Sequence, residues 1–221
     1  MKKNPPTTKN INLKELSKKL KRHGVFKLNI YNPNTLELIS NEVDINKSSA
    51  SMIINIGYKE TNISILALGQ TIFNKSINIG GETFNKSIFE YLKNNKKIEI
   101  DSKEIEKIKC ELSTGNNDKI QVLGISTSTH KETKLQVTKK LLKLSISKDI
   151  EDLSKEINKI INKLKIEIVS NLKEKGIILT GGASLTLDLY NTLKKEIDIP
   201  IFLSENPTID TIKGIEIVMN S

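Results

Sequence analysis

The chain has 221 residues, 37% hydrophobic but only 4% aromatic and without Trp, enough for one large domain or two modest ones around an aliphatic core. No apolar run approaches the roughly 18 residues of a membrane span, and the basic Met1-Lys2-Lys3 lacks the apolar stretch of a secretory signal, so the chain reads as cytoplasmic. The net charge of +9 is almost all Lys, with Arg22 the only Arg, spread among Asn, Glu and Ser; this reads as solvated surface rather than a base-reading one, and no specific nucleic-acid partner is expected.

Residues 1–10 are polar and contain two prolines, a loose arm. From Asn12 to His23, Leu13, Leu16 and Leu20 fall at helical spacing and Gly24 stops the pattern. Val25 to Ile30 alternates like a strand that Asn32-Pro33-Asn34 ends, and polar residues 41–51 read as a linker or domain crossing. Three strand-like runs follow at 52–57, 62–68 and 71–78, joined by Lys59-Glu60 and Gly69-Gln70, which predicts an antiparallel meander. Gly80-Gly81 closes it, and a helix from about Thr83 buries Phe84, Ile88, Tyr91 and Leu92.

Asp101 to Glu104 fits a capping box opening a helix with Ile105, Ile108 and Leu112 inward. The lone cysteine, Cys110, falls within this pattern as a packed residue and excludes an internal disulfide. Residues 119–146 read as strand-rich. One long amphipathic helix is predicted from Ser147 or Asp149 through Ile150, Leu153, Ile157, Leu164 and Leu172 to a stop at Gly176. Ile177 to Leu179 is a short buried strand, Thr180-Gly181-Gly182 a loop, Ser184 to Lys195 a helix, and Ile199 to Leu203 a last strand.

Two loops carry candidate chemistry. In Ile53-Ile54-Asn55-Ile56-Gly57-Tyr58-Lys59-Glu60-Thr61 a buried strand passes through a tight polar turn into a second strand. In Gly176 to Leu185 a buried strand runs through Gly181 and Gly182 into a helix start, a turn whose backbone N–H groups suit an anion or a ribose. Alone such a turn serves geometry just as well; the two together, in this order, are the stronger signal. His23 and His130 are far apart, with no Cys or His beside either, and make no metal-ligand pattern. Ser126-Thr127-Ser128-Thr129-His130 is rich in hydroxyls but lacks a Gly-flanked elbow, so it reads as a polar turn.

Together these segments resemble MreB, the family of bacterial actins that organises rod-shaped cell walls. Ser51-Met52-Ile53-Ile54-Asn55-Ile56-Gly57 is similar to the family's second phosphate-binding loop. Ser76-Ile77-Asn78-Ile79-Gly80-Gly81-Glu82-Thr83-Phe84-Asn85 resembles its Ser-x-x-x-Gly-Gly-Asp-x-Phe-Asp segment. Glu104 to Lys109 is similar to the Glu-x-Ile-Lys helix beside the adenosine, Gly176 to Leu185 to the Gly-rich adenosine loop, and Ile199-Pro200-Ile201 to Pro207 to the strand and turn beyond.

The resemblance implies an α/β fold, the C-terminal portion of an actin-like (ribonuclease H-like) ATPase. Residues 1–50 would be the remnant of a first lobe and the domain crossing. Residues 51–221 would be a nearly complete second lobe, with a smaller subdomain inserted at about 85–148. The nucleotide-binding positions it implies are Asn55, Gly57, Tyr58, Lys59, Glu106, Lys107, Ile108, Lys109, Gly181, Gly182, Ala183 and Ser184, for ATP with Mg²⁺ weakly held. Glu106 and Lys109 fit an exposed helical face equally well, and Lys59 in its turn fits a solvated side chain.

The departures from the family pattern are specific. Asn55 replaces the Asp that orders water around nucleotide-bound Mg²⁺, Tyr58 and Lys59 replace glycines, and Ala183 stands where a third glycine is usual. Asn32-Pro33 stands where the family has Glu-Pro, and the family's first phosphate loop has no counterpart. An amide cannot act as a general base, so no catalytic residue is assigned and no effective hydrolysis is expected. The implied role is cell-shape determination through binding. Its partners would be filaments of a full-length MreB-like homologue or of the chain itself, with peripheral membrane association through partners. The alternatives are an active ATPase completed by another polypeptide, a basic nucleic-acid or lipid module on the same scaffold, and a decaying fragment.

Overall fold

The structure, a computed structural model, describes residues 13–24 and 31–220. The chain divides into two compact units, residues 1–32 and 33–221. In the first, α1 (Leu13–Arg22) ends where expected, at Gly24, whose φ of 86° suits a glycine closing a helix. The strand expected at 25–30 and the arm at 1–10 lie outside the described residues.

The second unit is built on a five-stranded sheet. β1 (Ser51–Ile56), β2 (Thr61–Ala67) and β3 (Gln70–Ile77) form the expected antiparallel meander. β1 also pairs in parallel with β7 (Ile177–Thr180), and β7 with β8 (Ile201–Leu203), giving the order β3-β2-β1-β7-β8. Alternation assigns the two faces. Met52, Ile54, Ile56, Ile63, Ile65, Ile177 and Leu179 share one apolar cluster with Phe84 and Ile88 of α3 (Gly81–Lys96), Ile108 of α4 (Ser102–Thr114) and Leu153 of α5 (Lys139–Ile161). On the other face Ile53 and Leu66 pack with Leu38 of α2 (Pro33–Ser40). The sheet is therefore covered by helices on both sides.

Between α3 and α5 a smaller antiparallel sheet of order β4-β5-β6 is inserted: β4 (Ile98–Glu99), β5 (Lys119–Ser126) and β6 (Glu132–Thr138). Ser126 to His130 forms the polar β5–β6 turn, with the Ser126 N–H donating to the Lys131 carbonyl at 2.9 Å.

Four expectations are corrected. The long helix does not start at Ser147 or run unbroken to Gly176. It starts at Lys139, capped by the Thr138 hydroxyl, and breaks at residues 162–165 before α6 (Ile166–Lys175). The Ser145 and Ser147 hydroxyls bond back to the Leu142 and Leu144 carbonyls, so the serine run fits inside the helix. The helix expected over 184–195 is a 3-10 turn at Gly182–Leu185 followed by α7 (Leu189–Glu196).

Two helices had no sequence expectation. α2 starts on Pro33, and α8 (Asp210–Asn220) packs against it. A Cβ on Gly214 would lie 2.1 Å from the Leu36 carbonyl oxygen, so only a residue without a side chain allows this crossing. Finally, Cys110 is exposed rather than packed. Among the described residues no helix is long and apolar enough to cross a membrane.

Candidate nucleotide-binding site

A cavity of 380 Å³ opens between the turn after β1, the N-terminus of α3, the outer face of α4 and the loop after β7. It is lined by Tyr58, Gly81, Glu106, Lys109, Gly182 and Ala183, and further along by Cys110, Thr114, Leu185, Thr186 and Thr208. α4 reaches it because Asp101 caps the helix, accepting from the Lys103 N–H at 2.8 Å, while Ile105, Ile108 and Leu112 seat one face in the core.

The cavity contains a built ion pair. Lys109 is 4% exposed, and its Nζ donates to Glu106 Oε2 at 2.8 Å and to the Gly81 carbonyl at 3.4 Å. Asn85 Nδ2 donates to the same Glu106 oxygen at 2.6 Å. Burial pushes the Glu106 carboxyl up, but the hydrogen bonds from Lys109 and Asn85 and the Lys109 charge hold it below the usual carboxylate range. The reading of Lys109 as part of an exposed helical face is thereby overturned.

The remaining implied positions divide clearly. Gly57 closes the turn, its N–H bonded to the Glu60 carbonyl at 3.0 Å, and Lys59 is exposed in that turn. Gly181 adopts φ 88°, and Ser184 is buried with its hydroxyl donating to the Gly181 carbonyl at 2.6 Å. Ile108 lies in the core, and Lys107 faces away from the cavity toward Glu104 and Glu111. Tyr58, Glu106, Lys109, Gly182 and Ala183 therefore meet at the cavity, whereas Gly57, Lys59, Gly181 and Ser184 shape or flank the two turns.

Behind the turns, at the ends of β1 and β7, lies a network that the sequence did not reveal. Asn55 and Thr180 are register partners on the parallel strands and both face α2 and α8. Asn55 Nδ2 donates to Glu37 Oε1 at 2.6 Å, and Thr211 Oγ1 donates to the same oxygen at 2.8 Å. Thr180 Oγ1 donates to Asp210 Oδ2 at 2.5 Å, and Ser40 Oγ to Asp210 Oδ1 at 2.9 Å. Glu37 and Asp210 are both almost fully buried, and Glu37 Oε2 has no hydrogen-bond partner. Burial raises the Glu37 carboxyl above the usual range, against its hydrogen bonds from Thr211 and Asn55, and the Asp210 charge adds to the rise.

This network bears on Mg²⁺ and a triphosphate. The only donor group of the Asn55 side chain is committed to Glu37, and its Oδ1 faces Gly181, where an added Cβ would meet it at 2.4 Å. Among the described residues no group of three or more His, Cys, Asp or Glu side chains is placed to hold a metal ion. The missed lining residues Cys110 and Thr114 follow Glu106 at helical intervals along the face of α4, a signal the sequence did contain. Glu37 and Asp210 carry no such signal.

A model of the MreB/Mbl protein family matches residues 4–221. The chain is 23% identical over 169 residues to the cell shape-determining protein Mbl of Bacillus subtilis (strain 168), covering 75% of this chain and 51% of that protein. It is 24% identical over 178 residues to the cell shape-determining protein MreB of Escherichia coli (strain K12), covering 77% and 50%. The chain thus spans about half the length of these curated relatives. Among solved structures, MreB5 of Spiroplasma citri bound to ADP superposes with a TM-score of 0.84 at 16% identity, covering 98% of this chain and 67% of that one. A MamK double helical filament superposes at 0.71 with 17% identity, covering 98% and 67%. The fold is thus the actin-like one expected from the sequence, and the chain belongs to the MreB/Mbl family.

Proposed function

We propose that this chain is a cell-shape cytoskeletal protein of the cytoplasm that acts by binding within or on filaments, with ATP held weakly or not at all and without effective hydrolysis. The observation that carries this reading is the state of the strand ends. Asn55 stands where a carboxylate would order metal-bound water, and its amide is tied to Glu37 at 2.6 Å. The family relationship supports the cytoskeletal part, and the MamK filament neighbour supports self-association as the mode of binding. On this reading residues 51–221 are the second actin-like lobe with a subdomain inserted at about 85–148, residues 1–50 belong to the first lobe and the crossing, and the cavity on α4 is the purine side of the nucleotide cleft.

Co-sedimentation tests this proposal. The chain is expected to pellet with preassembled filaments of a full-length MreB-type protein, while phosphate release by the chain alone stays at background. Phosphate release at the rate of an active actin-like ATPase would overturn it.

A second reading is favoured by α8, where Ile212 is 66% and Met219 80% exposed. Such a face suits a second polypeptide carrying the part of the family length that this chain does not span. If so, adding that polypeptide restores Mg²⁺-dependent ATP hydrolysis, which the chain alone lacks.

A further inference from the structure

We propose that Glu37 is a proton-operated latch between the α2–α8 crossing and the two turns in front of it: with a proton on its carboxyl the crossing is closed, and without one it loosens. This goes beyond the proposed function and holds whatever ligand the cavity on α4 takes.

Connectivity is the first reason. α2 and α8 supply the carboxylates, Glu37 and Asp210, and β1 and β7 supply the groups they hold, Asn55 and Thr180. Gly57 lies two residues beyond Asn55, and Gly181 follows Thr180, so each turn springs from a residue that the network fixes. Thr211 of α8 donates to the same Glu37 oxygen as Asn55, so one oxygen ties α2 to both β1 and α8. The crossing has no slack, since a Cβ on Gly214 would meet the Leu36 carbonyl oxygen at 2.1 Å. Packing this close opens as a unit or stays shut.

Charge is the second. Glu37 is 2% and Asp210 3% exposed. Among the described residues no ion pair reaches either carboxylate. Asp210 is the charged group that acts on Glu37, and it has the same sign. The strands bring only the uncharged Asn55 and Thr180. A polar cavity of 220 Å³ over Asp210 and Ser40 adds Glu42, Glu205 and Lys213, two anions and one cation, and so no surplus positive charge.

The unused oxygen is the third. Glu37 Oε1 accepts both hydrogen bonds and the buried Oε2 has none. An ionised oxygen there is an uncompensated buried charge, which costs more than a neutral hydroxyl in the same place. Oε2 is therefore where the proton resides. With it, Glu37 still accepts from Asn55 and Thr211 through Oε1; without it, a second buried negative charge faces Asp210. A proton held more tightly in the folded state than in the unfolded one stabilises the closed crossing at low pH, and that contribution is lost as pH rises.

Hydrogen exchange read by mass spectrometry on the full chain tests the latch from about pH 5 to about pH 8, with each rate corrected for free-peptide exchange at that pH. Protection over α2, α8 and the turns at 57–60 and 181–184 is expected to fall by about tenfold as pH rises, the usual weight of one hydrogen bond to a charged group. α5, whose Ile150, Leu153 and Ile157 lie in the core on the other face of the sheet, should keep its protection. Glu37→Gln keeps the shape without the titration and should make these segments indifferent to pH. Asp210→Asn removes the opposing charge and should move the fall to higher pH. Protection that is flat with pH in the wild type, that falls equally in α5, or that falls equally in Glu37→Gln overturns the inference. Were Glu37→Gln unable to fold, the wild-type series against α5 and the Asp210→Asn shift would still decide.

Discussion

The cavity on α4 and the network at the strand ends put ionisable groups to different uses. On α4, Glu106 keeps part of its carboxylate toward the cavity, and buried Lys109 and Asn85 hold it ionised from behind. At the strand ends, Glu37 and Asp210 are sealed in: Glu37 Oε1 accepts from Asn55 and Thr211, and the Asp210 oxygens accept from Thr180 and Ser40. A half-open carboxylate can still exchange a water for a ligand hydroxyl at little cost. A sealed one can only hold its neighbours, and these lie on two strands and two helices. The comparison separates a carboxylate left partly open to solvent from two that are packed inside.

The largest expected effects come from breaking the sealed side. Gly181→Ala would put a Cβ 2.4 Å from Asn55 Oδ1 and 2.5 Å from the Ile56 carbonyl, at a φ of 88° that side chains rarely adopt. Overpacking and the left-handed backbone together should cost about 3 kcal/mol or more, read as a fall in the urea midpoint at unchanged slope. Gly214→Ala forces α2 and α8 apart at Leu36 and should cost about 1–3 kcal/mol. If either variant kept wild-type stability, the crossing would be looser than the close contacts imply.

Glu37 sharpens the same comparison through pH. Its folded carboxyl holds a proton more tightly than the unfolded one, whose ordinary value is 4.5. Above pH 4.5 the folded state therefore binds more protons than the unfolded state, and stability falls as pH rises until the folded group has titrated. The contribution is complete below 4.5 and is lost as pH rises through the raised folded value. Glu37→Gln should remove that slope and raise stability at neutral pH by on the order of 1 kcal/mol. A variant less stable than wild type at pH 7 would mean that the ionised form is the favoured one. Glu106 has the opposite sign: its lowered carboxyl stabilises the fold above its ordinary value, and the contribution is lost as pH falls through the folded value. Lys109→Met should shrink that acid-side loss, at a stability cost of about 1 kcal/mol.

The same contrast explains what the sequence could reveal. The meander was legible because three short apolar runs are separated by the polar turns Lys59-Glu60 and Gly69-Gln70, too short a spacing for helices between them. α8 was not legible because Ile212, Ile215, Ile217 and Met219 are all exposed, so its apolar residues define no buried stripe. The break at residues 162–165 was hidden because Leu164 and Ile168, both partly buried against the core, continue the helical period across it. The burial of Lys109 depends on Gly81, thirty positions or so upstream and on another helix, whose missing side chain leaves room for the ammonium. The Glu37 network depends on α2 and α8 crossing, a tertiary fact no local pattern carries. Residues whose role is set within one element were readable, and those set by two were not.

The smallest expected effect tests the cavity on α4. Cys110 follows Glu106 by one turn of α4, lines the cavity, and lies with its Sγ 3.4 Å from Glu106 Oε1. Burial raises its thiol above the ordinary value, and Glu106 adds to the rise by hydrogen bonding and by charge. The thiolate is the reactive form, so alkylation by iodoacetamide at pH 8 should run a few-fold slower than for a free cysteine. It should speed up in Glu106→Gln, where the carboxylate charge is gone. A ligand seated in the cavity should slow it further, because it covers the same wall. If adenosine bound without changing the alkylation rate, the ligand would sit elsewhere on the chain, and the reading of this cavity as the purine side of the cleft would fail.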